Sequence, residues 1–299
     1  MRIFLTGATG YIGSAVLDGL LRAGHQVTAI ARDPEKAERL AAKSVTPILG
    51  ELGVPKSYMA AVEAADVVVS AAFESSPRGV ALDRQVLETV LPALAEAARK
   101  QPRAFIYTSG VWVLGKTTAP ADEEAPLSPA DLVAWRPDHE KLVLGWGGSG
   151  LRTAVVRPGI VYGGGRGIVS DLIKDALNGL VRVIGPGRNH WPCVYDRDLA
   201  DVYVRLVANA DARGVFHVND EADERVNDIV EAIAGQVPQK PDIRHMPMAE
   251  ARKKLGPYAD ALALDQRVRS PRARALGWTP TLRSVGGNVA RLLEEYRRR

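Results

Sequence analysis

The chain has 299 residues, 46% hydrophobic and 25% charged, which suits one α/β domain or a domain with an appendage. A net charge of +4, scattered apart from the terminal Arg297, Arg298 and Arg299, argues against a dedicated nucleic-acid partner. A single cysteine, Cys193, excludes an intramolecular disulfide and reads as a small buried apolar residue. No signal-peptide pattern opens the chain, and no apolar run reaches the roughly 18 residues of a membrane span, so a soluble, cytoplasmic protein is expected, with no membrane partner.

In chain order, Ile3 to Thr6 reads as a strand. Ser14 to Ala23 follows as a helix with Gly24 as its stop. Val27 to Ala31, Val45 to Leu49, Asp66 to Ser70, Ala104 to Thr108 and Thr153 to Arg157 read as further strands. Pro34 to Ala42, Ser57 to Ala64 and Asp83 to Lys100 read as the helices between them, the last with Pro92 inside it. Strands alternating with helices predict right-handed crossovers and a doubly wound, mainly parallel sheet of the Rossmann type. The rhythm changes near Gly159. Helices are expected over Ser170 to Leu180, Asp198 to Asn209, Asn227 to Ala234 and Val285 to Tyr296, and a strand over Val215 to Val218. The expected organisation is a dinucleotide-binding domain over 1–160, to which later segments return, and a smaller mixed α/β substrate lobe over 161–299.

Between the first strand and the first helix lie Thr6, Gly7, Ala8, Thr9, Gly10, Tyr11, Ile12 and Gly13. Glycines spaced by two residues in that context are a dinucleotide-binding turn. Gly7 allows the sharp turn, Gly10 lets a pyrophosphate approach the backbone, and Gly13 lets the helix pack on the strand. The N–H groups and positive dipole end of the helix would hold the phosphates. After the second strand stand Ala31, Arg32 and Asp33. Arg32 would accommodate the 2′-phosphate of NADP, and Asp33 reads as the N-cap of the helix opened by Pro34; NADP is therefore expected, with NAD the alternative if Asp33 holds the ribose.

These residues, with Tyr107 to Gly115, Arg157 to Gly163, Trp191 to Ala200 and Leu276 to Pro280, resemble the extended short-chain dehydrogenases/reductases, the NAD-dependent epimerase/dehydratase family. The resemblance implies a serine or threonine and a tyrosine at the reacting oxygen. It also implies a lysine four residues after the tyrosine, to hold the nicotinamide ribose and lower the tyrosine pKa. Taking Lys141 as that lysine puts Pro137 at the tyrosine's place, and no tyrosine occurs between Tyr107 and Tyr162. Gly110 falls where the hydroxyl is usual, leaving Thr108 and Ser109 nearby. The expected catalytic set is thus Ser109, Lys141 and, in place of the missing tyrosine, Tyr162; His139 reads as a surface histidine. Glu51 and Leu52 resemble the family's adenine-side pair. Ala71 and Ala72 leave room for the cofactor, and Thr108, Lys141, Pro158, Gly159 and Ile160 would lie at the nicotinamide.

Candidate substrate contacts are Trp112, Trp135, Arg136, Arg166, His190, Trp191 and Tyr195, arginines and aromatics suited to a cleft mouth. The three aspartates between Asp196 and Asp201 are not read as a metal site, because Asp198 fits a helix N-cap. The expected protein is an NADP-dependent oxidoreductase or epimerase-like enzyme of atypical site, acting on a small carbonyl- or alcohol-type substrate, and compatible with a homodimer. Two alternatives stand beside it, a sugar-nucleotide epimerase or dehydratase and a non-catalytic dinucleotide-sensing protein.

Overall fold

The computed structural model describes residues 1–148 and 150–298. The first half alternates as the sequence predicts: β1 (Arg2–Thr6), α1 (Tyr11–Arg22), β2 (Gln26–Ala31), α2 (Pro34–Ala41), β3 (Thr46–Leu49), α3 (Met59–Ala64), β4 (Val67–Ser70), α4 (Gly79–Ala98), β5 (Arg103–Thr108), α5 (Arg136–Gly145) and β6 (Leu151–Pro158). The second half holds β7 (Ile160–Tyr162), α6 (Gly167–Leu177), β8 (Leu180–Ile184), β9 (His190–Trp191), β10 (Cys193–Tyr195), α7 (Asp196–Ala208), β11 (Gly214–Val218), β12 (Glu224–Arg225), α8 (Val226–Ala234) and β13 (Asp242–Met246). These are followed by α9 (Met248–Leu255), α10 (Pro257–Leu262), α11 (Pro271–Ala275) and α12 (Val289–Arg297).

Seven strands form one sheet in the order β3-β2-β1-β4-β5-β6-β11, and the pairs from β3 to β6 are parallel. The chain winds outward from β1 to β3, then returns to β4 on the other side of β1. The switch point therefore lies between β1 and β4, where such sheets bind ligands beyond their C-terminal ends. The register aligns Thr6 with Ser70, Ser70 with Tyr107 and Thr108 with Val156, so these strand ends are level. The fold is the Rossmann-like, doubly wound α/β arrangement.

Two compact units divide the chain. One comprises Met1–Ser109, Trp135–Arg157 and Ala200–Phe216; the other comprises Gly110–Ala134, Pro158–Leu199 and His217–Arg299. The core of the first is built from Phe4, Val68, Leu87, Leu91, Phe105 and Tyr107 with their neighbours. The core of the second gathers Tyr162, Ile173, Trp191, Cys193, Tyr195, Ile229 and Leu292. Cys193 is enclosed there, as its apolar run predicts, and burial pushes its thiol pKa up.

Local chemistry accounts for the element ends. Gly24 ends α1 at φ +77°, with His25 N–H donating to Leu20 O at 3.1 Å and Gly24 N–H to Leu21 O at 3.0 Å, a paired left-handed cap. Asp33 caps α2 by accepting from Lys36 N–H at 2.8 Å. The helix expected to reach Leu180 stops at Leu177, because Gly179 adopts φ +83° and Leu180 opens β8. Asp198 is not a helix cap: α7 starts at Asp196, and the Asp198 carboxylate accepts from Thr281 N–H, Thr281 Oγ1 and Leu282 N–H. Among the described residues no helix is long and apolar enough to cross a membrane, and no group of side chains has metal-ligand geometry.

Candidate active site

The glycine turn has the geometry that a dinucleotide requires. Gly7 sits at φ +77°, where a Cβ would lie 2.6 Å from Ala71 O. A Cβ on Gly13 would lie 2.0 Å from Gly7 O, so helix and turn pack backbone to backbone. Gly10 caps α1 without a side-chain bond, and no acidic residue stands in the first turn. Its leading N–H groups thus present an uncapped positive end to an anion. Thr9 is exposed, and Tyr11 and Ile12 open the helix half-buried. Thr6 Oγ1 accepts from Ala71 N–H and Ala72 N–H, both at 3.2 Å, which ties the end of β1 to the end of β4 under the turn.

At the end of β2, both oxygens of Asp33 have a partner in Lys36. Its second oxygen meets Lys36 Nζ at 2.5 Å, and the Lys36 ammonium and N–H hold its carboxyl below the usual range. Arg32 beside it is exposed and enters no ion pair among the described residues. The nearby Arg78 guanidinium is occupied by Glu74, whose carboxyl is brought down to about 2 by Arg78 and Ser76. Glu51 is exposed after β3, and Leu52 is half-buried with its carbonyl accepting from Tyr58 OH at 3.0 Å.

The end of β5 gathers hydroxyl, guanidinium and aromatic groups. Ser109 is buried, and its Oγ has no hydrogen-bond partner among the described residues. An enclosed hydroxyl without a partner is costly unless a ligand completes it. Thr108 Oγ1 shares a 2.7 Å bond with Tyr203 OH. The Thr108 carbonyl accepts from Arg136 Nη1 at 3.1 Å. Arg136 stands at the start of α5 over two aromatic rings, 4.4 Å from the Trp135 centroid and 5.3 Å from that of Phe73. The two rings stack on each other at 5.2 Å and 13°.

Behind this group lies a buried polar triplet. Asp83 Oδ2 accepts from Tyr107 OH at 2.6 Å and meets His139 Nδ1 at 2.7 Å. His139 is therefore not the surface residue that its polar neighbourhood suggests. Its ring lies edge-on to Trp135 at 4.8 Å, which fixes the start of α5 against α4 and β5. Glu140, one residue on, is buried against Arg157 of β6, with a shortest contact of 2.5 Å.

Lys141, expected to hold the nicotinamide ribose, is a surface residue. With His139 and Glu140 facing inward, it is exposed, lining an open surface groove with Arg84, Asp138, Leu142 and Trp146. Arg136 lies five residues earlier, about 140° away around the helix by 3.6-residue periodicity. The cation at the end of β5 is thus Arg136, expected from the sequence only as a substrate contact. Nothing local in the sequence marks Phe73, Asp83 and Tyr203, because their partners lie 62, 56 and 95 residues away.

In the second unit, Pro158 and Ile160 are buried. Gly159 N–H donates to Val218 O at 2.9 Å, and Ile160 N–H to Pro192 O at 2.7 Å. Tyr162, expected as the stand-in base, is sealed in the core of this unit. Its hydroxyl points to Asp220 Oδ2 and Leu282 O, each at 3.4 Å, and burial pushes its pKa up rather than down. It has neither the access nor the acidity of a base. Trp191 and Tyr195, expected at a cleft mouth, are likewise enclosed. Trp191 is buried and donates to Leu262 O at 2.9 Å; Tyr195 is buried and donates to Glu295 Oε1 at 2.6 Å. Both are core residues and not pocket walls. Trp112 remains half-buried, edge-on to Tyr258 at 6.1 Å, and Arg166 is half-buried before α6. His190 Nδ1 meets Asp265 Oδ1 at 2.7 Å.

The family model for the NAD dependent epimerase/dehydratase family matches residues 3–219. The chain belongs to that family. A relative from Schizosaccharomyces pombe, protein C2A9.02, is 32% identical over 293 residues, covering 94% of this chain and 95% of that one. A Stigmatella aurantiaca ketoreductase, acting on 4-hydroxy-2-methyl-3-oxo-4-farnesyl-3,4-dihydroquinoline-1-oxide by its name, is 35% identical over 171 residues, 54% of this chain and 51% of that protein. The crystal structure of human epimerase family protein SDR39U1, solved with NADPH, superposes with a TM-score of 0.72 at 25% identity, covering 98% of this chain and 99% of that one. At this level the protein is an NAD(P)-binding enzyme of the short-chain dehydrogenase/reductase type. The uncapped start of α1, the glycine cradle that any Cβ would fill and the unpartnered Ser109 hydroxyl all fit such a cofactor.

Proposed function

We propose that the protein is an NADP-dependent reductase of a small carbonyl compound, with Arg136 as the cation of its site. The observation that carries this reading is the end of β5, where an unpartnered buried hydroxyl, Ser109, lies one residue from the carbonyl that fixes Arg136. The cofactor supplies a hydride when bound. Gly7, Gly10 and Gly13 hold its phosphates, Glu51 and Leu52 border the adenine, Ala71 and Ala72 leave room for its backbone, and Pro158, Gly159 and Ile160 border the nicotinamide. Arg32 selects the 2′-phosphate, while Asp33 caps α2 and pairs with Lys36.

Ser109 donates to the substrate oxygen, and Arg136 stabilises negative charge as it develops there. Reading Arg136 into the family lysine's place moves the tyrosine's place to Leu132, which carries no proton either. The site therefore orients and stabilises charge, and the proton that completes the alcohol comes from water. Such a site suits a carbonyl that needs little acid assistance. Trp112, Arg166 and His190 remain the substrate-side candidates of the second unit. The name of the Stigmatella relative, a ketoreductase, favours reduction over epimerisation.

The test is transfer of deuterium from 4-deuterated NADPH to a panel of aldehydes, ketones and quinones, read by mass spectrometry of the products. Label at the carbinol carbon supports the reading. Cofactor binding without label in any product would favour the non-catalytic alternative, which the lack of a proton-bearing side chain motivates.

A further inference from the structure

Arg136 has no carboxylate in ion-pair contact among the described residues. Its side chain makes one hydrogen bond, to a neutral carbonyl, and among the described residues it enters no ion pair. The other arginine of this region, Arg157, is neutralised by Glu140. A half-buried guanidinium has lost part of its hydration, so an arrangement without a counter-ion is unfavourable until a ligand brings negative charge.

What surrounds it narrows the ligand. Phe73 is 43% exposed although it is a large aromatic, and it stacks on Trp135. The guanidinium lies over both rings, so its stem and plane are held while most of its five donors remain unused. The result is a flat apolar surface beside a rigid fork of N–H donors, located beyond the ends of β4 and β5. A rigid guanidinium fork matches a carboxylate through two parallel bonds, and a flat aromatic surface matches a ring.

We infer that the Phe73–Trp135–Arg136 cluster binds the carboxylate of a planar, conjugated substrate. This assignment rests on the proposed cofactor site, because the substrate must lie beside the nicotinamide. The negative charge at Arg136 has two conceivable sources, the substrate's carboxylate or the cofactor's own phosphates, and the experiment separates them.

Benzoate and benzamide, equal in shape and different in charge, are titrated by calorimetry into the full chain saturated with NADP⁺. Benzoate binds at least about tenfold more tightly than benzamide. Arg136→Met removes that preference, Arg136→Lys keeps part of it through charge alone, and Phe73→Ala weakens both ligands alike. Equal binding of the two probes, or a benzoate preference that survives in Arg136→Met, overturns the assignment. Benzoate that binds only the cofactor-free chain assigns Arg136 to the cofactor phosphates and also overturns it. None of these readouts requires turnover. A failed deuterium transfer with a benzoate preference intact therefore counts against the reductase reading alone.

Discussion

Arg136 Nη1 donates to the carbonyl oxygen of Thr108 across 3.1 Å, joining the first residue of α5 to the last residue of β5. In this position a cation faces the cofactor end of the sheet without a titratable partner. Tyr107 and Tyr203, the phenols nearest in the fold, are both pushed up by burial, so neither ionises near neutrality. Hydride transfer from NADPH is therefore expected to be nearly flat from about pH 7 to about pH 9, where a cation-activated tyrosine would give a sloping limb. Single-turnover rates measured across that range check this. A rise of about tenfold per pH unit would point to a titrating base that the proposed site lacks.

The residues after β2 make separable predictions. Arg32→Ala should weaken NADPH by about tenfold, equivalent to about 1.4 kcal/mol, while NADH is unchanged. Asp33→Ala removes the α2 cap and should lower stability by about 0.5–2 kcal/mol without changing the NADPH-to-NADH ratio. Fluorescence titration of both dinucleotides, with urea melts of each variant, distinguishes the two roles.

Gly13 is the sharpest steric test of the turn. A methyl group there would lie 2.0 Å from Gly7 O, and backbone must shift to admit it. Gly13→Ala should cost about 1–3 kcal/mol of stability by overpacking and abolish measurable NADPH binding. Gly24→Ala is the control: a Cβ there meets nothing within 4 Å, and the strain of φ +77° affects stability alone.

The second unit carries two carboxyls that resist ionisation. Burial pushes Asp220 up to about 7 and Asp196 up to about 6, from an ordinary value of 3.8. Between about pH 4 and about pH 7 the folded Asp220 keeps a proton that the unfolded chain has released. Stability is therefore greatest at the acid end of this window and falls as pH rises through it, by at most about 1.4 kcal/mol per pH unit. Asp220→Asn should flatten that slope in denaturant midpoints measured from about pH 5 to about pH 7. An unchanged slope would mean that Asp220 ionises at an ordinary pH.

The glycine turn, the parallel strands and the Asp33 cap were legible in the sequence because each is set by residues within a few positions of one another. α5 was not legible in this way. It is short and opens on Trp135, Arg136 and Pro137, and two of its three buried side chains are the polar His139 and Glu140, so no apolar stripe marks its inner face. Those two residues are satisfied by Asp83 and Arg157, which lie 56 and 17 residues away, and only the assembled sheet brings them together. The same holds for Tyr162, Trp191 and Tyr195. Aromatics beside glycine-rich loops resemble a pocket in the sequence, but the second unit uses them as its core.

Arg136 rather than Lys141 is the cation of the proposed site, and titration of benzoate into the NADP⁺-saturated Arg136→Met and Lys141→Met chains in parallel tests this most directly. Arg136→Met is predicted to weaken benzoate binding by about tenfold, while Lys141→Met stays within about twofold of the native chain. The reverse pattern, with Lys141→Met losing affinity and Arg136→Met retaining it, would contradict the proposed site.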